Sequence, residues 1–185
     1  MKKLYVVGNK ASKSLSPTIF NYWFRKYNIK ASYRYLELTE KNFHNKIKDI
    51  LEKKDTLGLN VTIPFKNKII KHLGKIDAHA KKIGAVNCVT NKKTINGTNT
   101  DWTGYYKTLP NIKKTKNRKV IILGYGGASH AIHYVLKKRG FKDILIFNRS
   151  KKKIKYSNKT EYTKTYNDLE THLEGVFLII NTTPI

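Results

Sequence analysis

The chain has a single cysteine, Cys88, among its 185 residues. One cysteine excludes an internal disulfide and a cysteine-cluster metal site. The six histidines show no metal-ligand spacing with Cys88, so the sequence predicts no metal. Cys88 lies in an apolar stretch, which favours a buried small residue over a nucleophile.

Long apolar runs are also missing. Only a few apolar residues separate Met1-Lys2-Lys3 from Gly8, too few for a signal peptide. No stretch approaches the roughly 20 apolar residues of a membrane-spanning helix. We therefore expect a soluble cytoplasmic protein without a membrane partner.

Acidic residues are scarce: 12 Asp and Glu against 38 Lys and Arg give a formal net charge of +26. Such a charge is compatible with a nucleic-acid or anionic-membrane partner. The lysines, however, are spread along the whole chain instead of clustering with arginine on one element. This pattern favours compositional drift, as from an AT-rich coding sequence, and predicts no specific nucleic-acid partner. Some electrostatic steering of anionic substrates follows in either case.

The stretch from residue 120 to 150 has the pattern strand, glycine turn, helix, strand. The apolar run Val120 to Leu123 precedes Gly124, Gly126 and Gly127, which let the backbone turn sharply and approach a ligand closely. A helical pattern follows, and Ile144 to Phe147 predicts the second strand. This is a βαβ dinucleotide fingerprint, in which a pyrophosphate rests on the helix N-terminus.

The end of the second strand bears on the choice of cofactor. NAD favours an Asp or Glu there, whereas this chain has Asn148, Arg149 and Ser150. An arginine suits a ribose 2′-phosphate, so the sequence predicts NADP over NAD. Ser129 replaces the usual third glycine. The alternative interpretation is a βαβ unit with a tight turn and no ligand.

Strands alternate with helices on both sides of Pro110 to Lys119, a polar, lysine-rich candidate linker. Two α/β lobes are therefore predicted. Ser16-Pro17 predicts a helix start with Ser16 as N-cap. Ser14 lacks an obvious capping role, and two hydroxyls one residue apart could bind a carboxylate. The other expected elements are strands at 4–7, 31–38 and 57–63, helices at 40–53, 77–83 and 100–109, and a hairpin over 84–96.

Seven motifs, in order along almost the whole chain, resemble those of the shikimate dehydrogenase family. They are SKSLSP at Ser12 to Pro17, NVTIPFK at Asn60 to Lys66, GAVNCV at Gly84 to Val89, NTDWTG at Asn99 to Gly104, GYGGAS at Gly124 to Ser129, NRS at Asn148 to Ser150 and NTTP at Asn181 to Pro184. The resemblance implies an α/β substrate-binding domain over 1–110 and a partial, Rossmann-like NADP-binding domain over 111–185.

The resemblance also implies an activity and its residues. The reaction is the reversible, NADP-dependent interconversion of 3-dehydroshikimate and shikimate, a step toward chorismate and the aromatic amino acids. Ser14 and Ser16 would hold the substrate carboxylate. The ring hydroxyls and the reacting oxygen would meet Thr62, Lys66, Asn87 and Asp101. The implied cofactor residues are Gly124, Gly126, Gly127, Ala128, Ser129, Asn148, Arg149, Ser150 and Thr182.

Lys66 and Asp101 match the catalytic pair of the family, and their chemistry fits that role. Hydride delivery to a ketone leaves negative charge on oxygen, so a proton donor must lie beside it. Lys66 can supply that proton and take it back in the reverse direction, and a nearby carboxylate such as Asp101 can place the ammonium. No metal is required.

The departure from the family is at the C-terminus, since family members run on past NTTP and this sequence stops at Ile185. We therefore expect a truncated form. It would lack the last strands of the cofactor sheet, and it would also lack the final helix, which in the family contributes a glutamine to the substrate. Two alternatives remain open: a quinate/shikimate dehydrogenase of broader specificity, and a catalytically impaired relic that only binds ligand. The protein is expected to be a monomer or homodimer.

Overall fold

The computed structural model of the chain describes residues 1–112, 115–154 and 161–183. The chain forms two compact units, Met1–Thr100 and Asp101–Ile185. This division falls earlier than the linker near residue 111, because the helix Asp101–Thr108 packs against the helix Gly127–Lys138. The functional assignment of 1–110 and 111–185 stays a prediction.

The first unit is built around a six-stranded sheet. Its elements are β1 (Lys2–Gly8), α1 (Ser16–Lys26), β2 (Ala31–Glu37), α2 (Phe43–Leu51), β3 (Thr56–Val61), β4 (Lys75–Ile76), α3 (Ala78–Ile83), β5 (Cys88–Asn91) and β6 (Ile95–Thr98). The strand order is β2-β1-β3-β5-β6-β4, with β2 at one edge. Strand β1 runs parallel to β2 and β3, whereas β5 runs antiparallel to β3 and β6.

Strand β1, between β2 and β3, shows how the sheet separates two cores. Its residues alternate in direction, as in any strand. Tyr5 and Val7 belong to the larger core, which includes Phe43 of α2. Val6 belongs to a smaller core with Tyr33, against which residues of α1 pack. The sheet is therefore covered by helices on both faces, as predicted for an α/β lobe.

The start of α1 differs from the prediction. Leu15, not Ser16, occupies the N-cap position, and no side-chain cap is formed there. The prediction of Ser16 as N-cap is wrong: it is the first helical residue, and its backbone N–H donates to the Ser14 hydroxyl at 3.2 Å. Pro17 lies in the first turn, where its missing N–H costs nothing.

The two other helices of this unit begin at polar side chains. Asp77 caps α3, because its carboxylate accepts from the backbone N–H groups of His79 and Ala80 at 2.8 and 3.1 Å. Helix α2 begins at Phe43, later than predicted. Thr39 and Asn42 form reciprocal side-chain to backbone hydrogen bonds in the turn before it, and these replace the first helical turn.

The second unit contains the predicted βαβ unit. Its elements are α4 (Asp101–Thr108), β7 (Lys119–Leu123), α5 (Gly127–Lys138), β8 (Ile144–Phe147), β9 (Lys153–Ile154), β10 (Glu161–Tyr162) and β11 (Val176–Asn181). Strands β11, β7 and β8 form a parallel sheet in that order. Both predicted strands of the βαβ unit are confirmed, the second with the same bounds.

Helix α4 is attached to the second unit by Arg139 and by aromatic contacts. The Arg139 guanidinium donates to the backbone oxygen of Tyr106 at 3.0 Å and lies 3.9 Å from the centre of its ring. Trp102 meets Tyr134 of α5 edge to face, with ring centres 5.8 Å apart. These contacts explain why the compact unit begins at Asp101, before the polar linker.

Several sequence features fall at the limits of what the structure describes. Pro184, the last residue of the NTTP motif, lies outside the described residues. Within 1–112, 115–154 and 161–183, no helix is long and apolar enough to cross a bilayer. In the same ranges no three His, Cys, Asp or Glu side chains form a group that could hold a metal ion.

A buried histidine of α5 predicts how stability depends on pH. His133 is only 3% exposed, and burial, with a smaller contribution from Lys137, lowers its pKa to about 4. An unfolded histidine titrates near 6.5. The stabilisation from a neutral His133 is therefore complete above pH 6.5 and is lost as the pH falls toward 4.

We expect His133→Gln to reduce the acid sensitivity of the fold. Between pH 7 and pH 4 the wild type should lose about 3 kcal/mol more unfolding free energy than the variant, which corresponds to the difference between the two pKa values. Urea denaturation at pH 7, 5.5 and 4 measures this difference. Parallel losses in the two proteins would contradict it.

Candidate functional site

The strand directions of the first unit bring four separate segments to one rim of the sheet. The parallel strands β1 and β3 end side by side, since Val7 pairs with Val61. Strand β5 begins and β6 ends at the same rim, because Cys88 pairs with both Asn60 and Thr98. We call the segments 9–16, 62–66, 84–87 and 99–100 the carboxyl rim. It contains the predicted substrate residues Ser14, Ser16, Thr62, Lys66 and Asn87.

The serine segment of the carboxyl rim is held by a carboxylate. The backbone N–H and the hydroxyl of Ser12 both donate to Glu37 at the end of β2, at 3.1 and 2.6 Å. These hydrogen bonds lower the pKa of Glu37. Two residues on, the Ser14 hydroxyl accepts from the N–H of Ser16, and both serines are half-buried. These hydrogen bonds therefore fix the backbone segment that carries the Ser14 and Ser16 hydroxyls.

Thr62 and Lys66 are fixed by backbone contacts. Thr62 donates its N–H to Val7 at 2.8 Å, and a Cβ at Gly8 would lie 2.5 Å from the Thr62 side chain. A side chain at position 8 would therefore force Thr62 to shift. The Lys66 carbonyl accepts from Val86 at 2.8 Å, which places the lysine next to the Asn87 segment.

Asn87 joins the two remaining segments of the carboxyl rim. Its carbonyl accepts from Val61 at 2.8 Å. Its side-chain oxygen accepts the N–H of Thr100 at 2.8 Å, and its amide nitrogen donates to the Thr100 hydroxyl at 2.9 Å. Asn87 precedes β5, so the first strand of the hairpin predicted over 84–96 begins only at Cys88. Asp101 follows Thr100 directly and opens α4 in the second unit.

The structure shows a further polar contact next to the carboxyl rim, made by Tyr33. Sequence reasoning missed this residue. Its side chain is 2% exposed, and its hydroxyl donates to the Asn60 side-chain oxygen at 2.7 Å. Burial, followed by the proximity of Cys88, raises the pKa of this hydroxyl. No motif marks Tyr33, and alternation along β2 could have predicted only that it points inward.

In the second unit the glycine turn meets the segment after β11. Gly124 has a φ of +96°, and a Cβ there would lie 2.8 Å from the Thr182 hydroxyl oxygen. Thr182 donates its N–H and its hydroxyl to the Leu123 carbonyl at 2.8 and 2.7 Å. The position of a Cβ on Gly126, by contrast, is open space. The chain can therefore accept a ligand close to the Gly126 backbone.

The first turn of α5 has the features of an anion site. Gly126 is the N-cap and provides no side chain to satisfy the first backbone N–H groups. Gly127 and Ala128 begin the helix. The fully buried Ser129 donates its hydroxyl to the Gly126 carbonyl at 2.8 Å. Ser129, at the position of the third glycine, therefore tightens the turn.

The segment after β8 is held by its own side chains. Asn148 donates its N–H to Lys164 at 2.9 Å and its side-chain amide to the Ser150 carbonyl at 2.8 Å. Thr163 donates to the same carbonyl at 3.3 Å. Arg149 is exposed between these anchored residues. A parallel βαβ unit with this glycine turn and basic loop is characteristic of the α/β dinucleotide-binding proteins.

Comparison with known families gives a more specific assignment. The family model "Shikimate dehydrogenase substrate binding domain" matches residues 6–89, and the model "Shikimate / quinate 5-dehydrogenase" matches residues 107–184. The chain belongs to the shikimate dehydrogenase family. The family predicted from the seven motifs is confirmed, together with the α/β fold, the NADP cofactor and the function of an NADP-dependent shikimate dehydrogenase.

Individual relatives agree with this assignment. Shikimate dehydrogenase (NADP(+)) of Clostridium botulinum is 37% identical over 97% of this chain, which spans 70% of that relative. The crystal structure of shikimate dehydrogenase 1 from Peptoclostridium difficile superposes with a TM-score of 0.85 at 31% identity, covering all of this chain and 68% of that one. The Thermus thermophilus enzyme in complex with NADP(H) and shikimate superposes at 0.67 with 26% identity, covering 81% of this chain and 57% of that one.

The two glycines of the turn predict opposite effects of an added methyl group. Gly124→Ala should lower the unfolding free energy by about 1–3 kcal/mol, because its positive φ and the nearby Thr182 oxygen both oppose a Cβ. Gly126→Ala is the matched control, with an ordinary φ of −121° and open space, and should change stability by less than about 0.5 kcal/mol. Urea denaturation of both variants measures this, and equal destabilisation would contradict the geometry.

Proposed function

We propose that the chain interconverts 3-dehydroshikimate and shikimate, with Lys66 as the general acid and base. The observation that supports this most strongly is the position of Lys66 on the carboxyl rim, next to Asn87 and on the same rim as Ser14 and Ser16. One rim therefore offers a cation for the reacting oxygen and two hydroxyls for a carboxylate.

Ser14 and Ser16 are proposed to bind the substrate carboxylate. A carboxylate only accepts hydrogen bonds, so each serine must donate its proton. The Ser14 oxygen already accepts from the Ser16 backbone, which leaves the Ser14 proton available. Both serines lie at the start of α1, where the helix dipole favours a negative charge.

Thr62 and Asn87 are proposed to bind the ring hydroxyls. Both lie on the carboxyl rim with fixed backbones. The side-chain orientation of Asn87 is set by its two hydrogen bonds with Thr100, since the oxygen accepts from a backbone N–H and the nitrogen faces a hydroxyl. An amide with a fixed orientation can distinguish a donor from an acceptor on the ring.

Lys66 is proposed to manage the proton of the reacting oxygen. NADPH supplies the hydride to the carbonyl carbon. The Lys66 ammonium donates a proton to the oxygen as negative charge develops there, and the neutral amine takes it back in the oxidative direction. Asp101 is proposed as the second member of this acid–base pair on the evidence of the NTDWTG motif. Asp101 directly follows Thr100, whose backbone N–H donates to the Asn87 side chain. The backbone that leads into Asp101 is therefore fixed.

The cofactor site is proposed at the carboxyl ends of β7, β8 and β11. The open space at Gly126 and the backbone N–H groups of the first turn of α5 fit a pyrophosphate. The residues proposed for this contact are Gly124, Gly126, Gly127, Ala128, Ser129 and Thr182. The Asn148–Ser150 loop would accept the ribose 2′-phosphate, with the exposed Arg149 as its cationic partner.

Two alternatives from the sequence remain as outcomes of experiment. Quinate offers the same carboxylate to Ser14 and Ser16, so a broader quinate/shikimate dehydrogenase differs only in ring recognition. A ligand-binding relic would bind shikimate without turnover. A cytoplasmic location and a monomeric or homodimeric state belong to the same proposal.

Lys66→Ala tests the acid–base role. We expect NADPH formation from shikimate and NADP by the purified chain to fall at least about 100-fold, because the variant loses the proposed proton donor and acceptor. NADP affinity should stay within about twofold. Lys71→Ala, which removes an exposed lysine a few residues further along, is the control and should retain the rate.

The outcomes of the Lys66 experiment separate the proposals. Wild-type rates in the Lys66→Ala variant would refute the acid–base role. A wild-type chain that binds shikimate in calorimetry but forms no NADPH would favour the ligand-binding alternative. Comparable turnover with quinate would favour the broader dehydrogenase.

Arg149→Ala tests the choice of nucleotide. Loss of a charge-assisted contact with the 2′-phosphate should raise the Kd for NADP roughly 10- to 100-fold and leave that for NAD within about twofold. Lys142→Ala removes the same charge near the opposite end of β8 and should affect neither Kd much. Equal losses for both nucleotides in Arg149→Ala would refute the assignment.

A further inference from the structure

Two histidines meet outside the carboxyl rim: His44 of α2 and His72, the last residue of the 3₁₀ helix Lys68–His72. Their facing ring nitrogens, Nδ1 of His44 and Nε2 of His72, are 2.8 Å apart. We propose that these two imidazoles bind one divalent transition-metal ion of the Ni²⁺ or Cu²⁺ type, with water as the remaining ligands. This site takes no part in hydride transfer and does not depend on the proposed function.

The fold, not the sequence spacing, brings the two histidines together, since 28 positions separate them. Phe43 is fully buried and meets both imidazoles edge to face, with ring centres 5.3 Å from His44 and 5.9 Å from His72. One buried ring therefore supports both imidazoles and holds them at the same place on the surface of the first unit.

The backbone segments that contain the two histidines are joined by further contacts. Phe65, shortly before the 3₁₀ helix, stacks on Phe43 with ring centres 4.2 Å apart and planes 14° apart. Lys68, at the start of the 3₁₀ helix, forms an ion pair with Glu40 at 3.0 Å. The two charges compensate each other, so this pair adds no net repulsion against a bound cation. The separation of the imidazoles is therefore set by a framework that exists before a ligand arrives.

The protonation of the pair also suits a metal. Two N–H groups cannot face each other at 2.8 Å, so at most one proton lies between the two nitrogens. Burial, followed by the proximity of His44, lowers the pKa of His72, which favours the neutral imidazole that a metal requires. In the neutral pair, metal binding needs only a shift of the shared proton to the other nitrogen of the same ring.

The distance between the facing nitrogens indicates which metals fit. With metal–nitrogen bonds of about 2.0–2.1 Å, ligands at right angles have nitrogens about 2.9 Å apart, and ligands at the tetrahedral angle have nitrogens about 3.3–3.4 Å apart. The 2.8 Å between His44 and His72 is close to the first value. Right angles occur in the square-planar and tetragonal sites of Cu²⁺ and Ni²⁺, whereas Zn²⁺ prefers a tetrahedron.

One side-chain rotation completes the site. The two imidazole planes are 28° apart and their centres 5.1 Å apart, so the rings must turn before both lone pairs point at one ion. The His44 side chain is exposed, and the χ2 torsion of histidine has a broad range. The exposed position also lets water reach the other coordination sites of the ion.

Calorimetric titration of the untagged chain with Ni²⁺ alone is the direct test. We expect one Ni²⁺ per chain and a higher melting temperature when the metal is present. His44→Gln and His72→Gln should each raise the Kd for Ni²⁺ at least about tenfold, because either change removes the chelate. His172→Gln removes a partly exposed histidine of the second unit and should leave this Kd within about twofold.

The double variant His44→Gln/His72→Gln distinguishes a chelate from two independent ligands. In a chelate, the loss of one imidazole already removes most of the affinity, so the double variant should bind Ni²⁺ about as weakly as either single variant. Additive losses would overturn the proposal, as would an unchanged Kd in either single variant. Tighter binding of Zn²⁺ than of Ni²⁺ would overturn the right-angled geometry.

A measurement on the wild-type chain covers the case in which a variant fails to fold. Diethyl pyrocarbonate acylates the nitrogens of neutral imidazoles, and peptide mass mapping shows which histidines have reacted. Ni²⁺ should protect both His44 and His72 from this reaction and leave His172 as reactive as before. Equal modification of His44 and His72 with and without Ni²⁺ would overturn the proposal.

Discussion

The first unit depends on one constraint, the pairing of β3 with β1 on one side and β5 on the other. The parallel pair brings the ends of β1 and β3 together, and the antiparallel return of β5 brings Asn87 to the same rim. Backbone hydrogen bonds from Val61 and Val86 then lock the segments that contain Asn87 and Lys66. Residues far apart in the sequence become neighbours because strand direction, not sequence distance, decides which termini meet.

In the second unit, a single backbone carbonyl connects two segments that are far apart in the sequence. Leu123 ends β7 and accepts both the N–H and the hydroxyl of Thr182, 59 residues further along. The glycine turn after β7 and the segment after β11 are thereby packed against each other at the point where Gly124 has its positive φ. The position of a Cβ on Gly126, two residues further along, is open space.

The sequence predicted the local features well and the tertiary ones poorly. The βαβ unit was predictable because alternation, glycines and helical spacing are all local signals, and β8 has the predicted bounds. Ser16 was mistaken for an N-cap because its hydroxyl and the following proline fit that pattern, whereas the actual acceptor is Ser14. The motifs identified the carboxyl-rim residues only through family resemblance. The role of Tyr33 could not be predicted from the sequence, because its hydrogen-bond partners lie on α1 and β3 and no spacing in the sequence reveals them.

The Asn21 side chain has a consequence for solubility. Strand β2 lies at the edge of the six-stranded sheet, where unpaired backbone groups invite strands from other molecules. Asn21 occupies the N–H and the carbonyl of Tyr33, within the length of that edge. An incoming strand would have to displace this pair of hydrogen bonds before it could extend the sheet. The Asn21 side chain of α1 therefore opposes pairing of β2 with a strand of another chain.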